Sequence, residues 1–185
     1  SAELIKHLSH PNGWWRDEAQ KLIILKGDRS VLADLRQLAT SAGNPLARLH
    51  ALWTIEGLDA IDLDFLQKIY RDDDPTVRAA AIRMTEPFFH QDINTVSMLQ
   101  SLASDPHHDV AIQLLLSAST RVTPETRALV GSVLNQPRMP NSGRMSFLYS
   151  KEMCCHPGLG IKFFDTSCLL FIFTKLPPRG INREW

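Results

Sequence analysis

The sequence predicts an all-α solenoid of about four stacked helical hairpins, followed by an irregular tail. Three observations carry this. A local pattern recurs in Pro11-Asn-Gly-Trp-Trp-Arg16-Asp-Glu-Ala19, Pro45-Leu-Ala-Arg48-Leu-His-Ala51, Pro75-Thr-Val-Arg78-Ala-Ala-Ala81 and Pro106-His-His-Asp109-Val-Ala-Ile112. Aligned on the Arg-x-x-Ala core, the copies are offset by 32, 30 and 31 residues, a period that marks stacked repeats. Within each copy the apolar residues follow the spacing of a helix face.

The second helix of each hairpin has the clearer start. Asn44-Pro45, Asp74-Pro75 and Asp105-Pro106 each place a capping side chain before a proline. The Asn or Asp oxygen accepts from an orphan backbone N–H, and proline suits a first position whose N–H would be unpaired anyway. Apolar stripes then run through Leu46, Leu49 and Trp53, through Val77, Ala81, Met84 and Phe88, and through Val110, Leu114 and Ala118. Trp53 is expected in the core, and Gly57 as a helix stop.

The first helices are legible too. Asp28 caps a helix carrying Val31, Leu35, Leu38 and Ala42, and Asp62 caps one carrying Leu63, Leu66 and Tyr70. Ile93, Val96, Leu99 and Ala103 mark another, and Thr123-Pro124 opens a last one with Thr126, Leu129, Val130 and Val133. The segment before Leu8 reads as the end of a preceding helix.

Packing explains the signature. Small residues at Ala19, Ala51 and Ala81 let helices approach closely, and larger apolar residues bury against the next pair. One pair cannot bury its own apolar face, so stability comes from stacking. Arg16, Arg48 and Arg78 start the second helices, where they can bond acidic loop residues of adjacent units. The Asp72-Asp73-Asp74 run fits helix caps and solvated loops.

Composition narrows the function classes. The chain has 185 residues, 20 basic and 20 acidic side chains, and a hydrophobic fraction of 44%. Such a balance lacks the electrostatic footprint of a nucleic-acid binder. No apolar run reaches the roughly 18 residues of a membrane helix. The first residue is Ser1, with no Met and no apolar leader, which reads as a piece of a longer protein.

The balance hides a division. Up to Pro137 there are 13 basic and 17 acidic residues; from Arg138 there are 7 and 3. All three cysteines and five of the eight phenylalanines lie after residue 138. A boundary is therefore expected between a repeat domain at 1–136 and a tail at 137–185. Prolines 137, 140, 157, 177 and 178 and glycines 143, 158, 160 and 180 break any long element there. The tail reads either as an irregular cap or as sequence not selected to fold with the repeats, such as a shifted reading frame. The joint change of composition, charge and cysteine use favours the second.

Asp-Pro-x-Val-Arg-x-Ala-Ala at 74–81 resembles the HEAT-like repeat of the bilin-lyase type. The stretches Leu8-Ser-His-Pro-Asn-Gly-Trp-Trp-Arg-Asp-Glu-Ala-Gln-Lys-Leu22 and Asn44-Pro-Leu-Ala-Arg-Leu-His-Ala-Leu-Trp-Thr-Ile-Glu-Gly-Leu58 are similar to the HEAT section of large planctomycete-type membrane-bound dehydrogenase or haem-binding proteins. The resemblance extends through about residue 120. It implies a HEAT section linking an N-terminal sugar-dehydrogenase-like propeller to a c-type cytochrome domain. It also implies a periplasmic or exported parent. No active site transfers, because the propeller lies outside this chain.

The chain itself is expected to hold no catalytic residue, cofactor or metal. Covalent haem needs Cys-x-x-Cys-His, which neither Cys154-Cys155-His156 nor Cys168 supplies. His7-x-x-His10 and His107-His108-Asp109 offer fewer ligands than zinc needs. HEAT-type di-iron hydroxylases resembling deoxyhypusine hydroxylase carry His-Glu dipeptides, and none occurs here. The expected role is a non-enzymatic scaffold for a protein partner or for adjacent domains of the same parent, with no nucleic acid and no membrane insertion. Haem c belongs elsewhere in that parent. The alternatives are a HEAT-type enzyme, bilin-lyase-like or DNA-repair-like, and a free-standing regulatory adaptor. The residues set out for partner binding are Trp14, Trp15, Arg16, Arg48 and His50. Trp14 and Trp15 cannot both point inward, since helix neighbours diverge by about 100°.

Overall fold

The computed structural model describes residues 1–90 and 94–137. Expectations at Ile93, and all those on residues 138–185, lie outside the described residues. Residues Ser1–Gln136 form one compact unit. Nine α-helices and no strand occur among the described residues: α1 Ala2–His7, α2 Gly13–Lys26, α3 Leu32–Ser41, α4 Pro45–Gly57, α5 Leu63–Ile69, α6 Pro75–Thr85, α7 Asn94–Met98, α8 His108–Ser119 and α9 Pro124–Leu134. Short 3-10 segments extend the starts or ends at Arg29–Val31, Glu86–His90 and Leu99–Ser104.

The helices pair as α1 with α2, α3 with α4, and α5 with α6, while α8 pairs with the segment Leu99–Ser104 that continues α7. The second helices then stack in one row, α2 on α4, α4 on α6 and α6 on α8. The last helix, α9, lies against α8 and Leu99–Ser104, as the first helix of a further hairpin would. The all-α solenoid of helical hairpins read from the sequence is the fold observed.

Capping fixes where the second helices start. Asn12 accepts from the Trp14 N–H at 3.0 Å, Asn44 from Leu46 at 2.9 Å and Asp74 from Thr76 at 2.8 Å. Asp62 caps α5 through the Phe65 N–H, and Thr123 with Thr126 forms a reciprocal capping box on α9. The fourth second helix departs from expectation. It begins at His108 with His107 as cap residue, so Asp105 is not its cap. By their caps the hairpins are offset by 32, 30 and 33 residues. The place of the arginine in α8 is therefore held by buried Ala111, not by Asp109.

The core runs along the row. Ala19, Ala51, Ala81 and Leu114 occupy the same buried position, as do Ile23, Ile55, Thr85 and Ala118. Val110, Leu114 and Ala118 are buried as the α8 stripe requires, as are Val96, Leu99 and Ala103. Two stripes shift. In α4, Leu49 is buried as expected, but Leu46 is exposed and Trp53 half-buried, and the rest of the core is made by Ala47, Ala51, Leu52 and Ile55. In α6, Pro87 cannot continue the helix, a 3-10 turn follows Thr85, and Phe89 is buried in place of Phe88. In α3 the buried set is Val31, Leu35 and Ala39, with Leu38 half-buried.

Gly57 serves differently from the helix stop expected of it. It is the last residue of α4, and a β-carbon there would overlap the Ile24 side chain of α2. Its bare Cα sets how closely α2 and α4 approach. The left-handed cap belongs to Gly27, at φ 61°, after α2.

Candidate functional site

Each arginine at the start of a second helix anchors its own loop, and two of the three also reach the next hairpin. Its Nη1 ties down the loop before its own helix: Arg16 to the His10 and Pro11 carbonyls at 2.7 and 2.9 Å, Arg48 to Ala42 at 2.6 Å, and Arg78 to Asp72 and Asp73 at 2.7 and 3.0 Å. In Arg48 and Arg78 the other nitrogens reach the next hairpin. Arg48 Nη2 donates to Asp72 Oδ1 at 2.8 Å, with Nε 2.8 Å from Oδ2. Arg78 forks on Asp105, Nε to Oδ2 at 2.7 Å and Nη2 to Oδ1 at 3.0 Å. Asp72 and Asp105 both lie two residues before a cap residue. Each also accepts that residue's N–H, from Asp74 at 2.8 Å and from His107 at 2.9 Å. One carboxylate thus shapes its own loop and locks the preceding hairpin in register. This is the bond to acidic loop residues that the sequence suggests for Arg48 and Arg78.

Arg16 lacks that partner. The matching position is Ala42, and the buried Arg16 Nε has no acceptor. Ala42 already has the backbone that Asp105 uses, φ −65°, ψ 133° against φ −54°, ψ 133°. An Ala42→Asp variant is therefore expected to stabilise the protein by about 1 kcal/mol. Differential scanning calorimetry would read this as a higher melting temperature. A fall would show that the Arg16 fork does not reach loop 42–44.

The five residues set out for partner binding separate by burial. Arg48 is half-buried with its side chain largely enclosed between hairpins, and His50 is buried there, so their geometry is that of register and core, not of a partner surface. His50 Nδ1 lies 2.8 Å from Gln20 Oε1 on α2, its Nε2 is 4.0 Å from Asp17, and its ring meets Trp53 edge-on at 5.2 Å. Burial, and then the Arg16 charge, hold the His50 pKa below its usual 6.5 against the opposing pull of Asp17. The unfolded chain takes up that proton more readily. Stability from neutral His50 is complete above pH 6.5 and declines as pH falls through the lowered folded value. Melting temperature should drop below pH 6.5, and His50→Gln should flatten the drop. An unchanged slope in His50→Gln would assign the acid sensitivity to another group.

Trp14 and Trp15 are both in solvent, at 59% and 44% exposure. The angle between helix neighbours required at least one of the pair to lie outside. Trp15 stacks on His7 at 5.3 Å, lies 5.8 Å from His10, and meets Trp14 edge-on at 5.1 Å. His10 Nδ1 accepts the Asn12 N–H at 3.1 Å, the task Asp72 and Asp105 perform in later hairpins. Arg16 lies beneath this cluster, bonded to the loop that carries it. Sequence reasoning missed Leu22 and Leu25, which extend the same face of α2 at 41% and 73% exposure. Their positions, seven and ten residues beyond Trp15 and so on its side of the helix, were the available signal.

Beside this face, Asp17, Gln20, Lys21, Ile24 and Leu25 line an open depression of about 340 Å³. Among the described residues no three His, Cys, Asp or Glu side chains converge on a metal position, and all three cysteines of the chain lie outside them. Among the described residues no helix is long and apolar enough to cross a membrane.

The fold and this surface define a class, the α-solenoid repeat proteins. A family model described as HEAT repeats matches residues 1–86, from α1 through α6. No curated protein and no solved structure matches the chain. The matched stretch is similar to repeats that generally mediate protein interaction without catalysis, which is the role of a scaffold.

Proposed function

We propose that this chain is a non-enzymatic scaffold within a longer exported redox protein, where it docks the parent's other domains. The observation that carries the interaction reading is the edge-to-face pair Trp14 and Trp15, held in solvent on α2. Large exposed aromatic residues on a rigid element are the anchors that protein interfaces use. The parent reading is supported by the resemblance of residues 8–22 and 44–58 to the HEAT section of planctomycete-type dehydrogenase or haem-binding proteins. Haem c would then belong to another domain, with this section connecting modules.

Oxidative footprinting tests the scaffold role. Trp14 and Trp15 should be protected in the protein as it occurs in its source cells and reactive in the isolated chain. Equal reactivity in both would overturn it. An antibody to this chain should find it in the exported fraction, on a polypeptide that stains for covalent haem. A haem-free polypeptide in the cytosol would overturn the redox parent.

Residues 1–136 are proposed to be a self-sufficient domain, apart from 137–185. The compactness of Ser1–Gln136 and the change of charge at the boundary support this. Truncation after Pro137 should leave helicity and melting temperature nearly intact by circular dichroism. Loss of cooperative melting would make the tail part of the fold.

A further inference from the structure

Every second helix after α2 receives the one before it on a single face. α4 receives α2 at His50, bonded to Gln20, and at Gly57, packed on Ile24. α6 receives α4 at Arg83, which donates to Glu56 Oε2 at 2.6 Å. α8 receives the end of α6 at Ser117, which donates to Glu86 Oε1 at 2.6 Å. Counted from the cap residues, these receivers are the sixth, thirteenth, ninth and tenth positions. At about 100° per residue they share one side of the helix.

On α2 the same positions are Glu18, Leu25, Lys21 and Leu22, and no helix covers them among the described residues. Leu22 and Leu25 are exposed, and among the described residues Lys21 pairs with Glu18 of its own helix at 3.6 Å. Trp15 makes the point sharply. Its counterparts Ala47, Val77 and Val110 are all buried, whereas Trp15 is 44% exposed. α2 buries only Ala19 and Ile23, against seven residues of α4.

We infer that this face of α2 is a stacking face, and that its occupant is another helical hairpin laid on α2 as α2 is laid on α4. The inference rests on the scaffold reading and specifies its partner. The interface continues the series α2–α4, α4–α6 and α6–α8. The occupant's chemistry follows from the receivers. Its second helix presents an apolar face to Trp14, Trp15, Leu22 and Leu25, with an acidic residue for Lys21, as Glu56 serves Arg83. It carries no arginine fork for this joint, because His10 stands where Asp72 and Asp105 receive one.

The test grafts a hairpin onto the full chain. Residues 28–61 are placed directly before Ser1, so that Ser1 follows the copied α4 as Asp62 follows the original. The graft should raise the melting temperature by roughly 4 °C or more. It should also protect Trp14 and Trp15 from oxidation, read peptide by peptide in a mass spectrometer. Lys21→Glu should reduce the gain, and Leu22→Asp with Leu25→Asp should abolish it. A graft that changes neither melting nor protection overturns the inference. So does concentration-dependent dimerisation of the ungrafted chain that protects both tryptophans, since the occupant would then be a second copy. Protection of Trp14 and Trp15 in source cells, together with a silent graft, would overturn the hairpin occupant and leave the scaffold reading standing.

Discussion

Arg78→Ala is expected to destabilise the protein by about 3–5 kcal/mol, the largest loss foreseen for any single substitution. The cost arises less from the lost attraction than from what remains behind. The Asp105 carboxylate is nearly buried and would lose both arms of its fork. The Asp72 and Asp73 carbonyls would lose their shared donor. Lysine should not rescue the fold, because an ammonium cannot make the planar fork and reach the loop together. In a stack stabilised by neighbour contacts, the break falls between the third and fourth hairpins. Urea denaturation of Arg78→Ala should therefore show the α7–α9 end unfolding ahead of the rest. A loss below about 1 kcal/mol, the range of exposed ion pairs, would contradict the buried assignment.

Leu52→Ala is expected to cost about 2–5 kcal/mol. Leu52 is fully buried in α4, the helix held between α2 and α6. Close packing on both sides leaves little room for the cavity to collapse, so the loss combines transfer and void terms. Leu46→Ala is the control. Leu46 is 45% exposed, and its truncation should cost no more than about 0.5 kcal/mol. Thermal melts of the two variants compare them directly. Equal losses would place Leu46 back on the core stripe that its spacing suggested.

That contrast marks the limit of periodicity. Leu46, Leu49 and Trp53 have helical spacing, yet of the three only Leu49 is buried, beside Ala47, Ala51, Leu52 and Ile55. A helix with neighbours on three sides has no single stripe, so the largest apolar residues need not be the core. The fourth cap shows a second limit. Asp105-Pro106 has the chemistry of a helix start, but its carboxylate is engaged by Arg78 and the helix opens two residues later, at His108. Local signals specify which groups an aspartate can satisfy, and a residue in the preceding hairpin decides between them.

The candidate site was legible in part. Trp14 and Trp15 were named from their adjacency, and the angle between helix neighbours required at least one to face outward. That both do depends on the absence of a hairpin over α2 among the described residues. Arg48 and His50 have the polar chemistry of a binding surface, but stacking encloses them between hairpins. Leu22 and Leu25 look like core residues in the sequence and lie in solvent in the fold.

The sequence alone determined the helices, all but one of the second-helix caps it named, the pairing and the repeat that stacks them, because each follows from interactions within a few residues or from one recurring apolar face. Tertiary structure decided which arginine has a carboxylate, which glycine sets a helix approach and which apolar face of α2 stays open. Those outcomes depend on groups about thirty residues apart, brought together only when one hairpin is laid on the next.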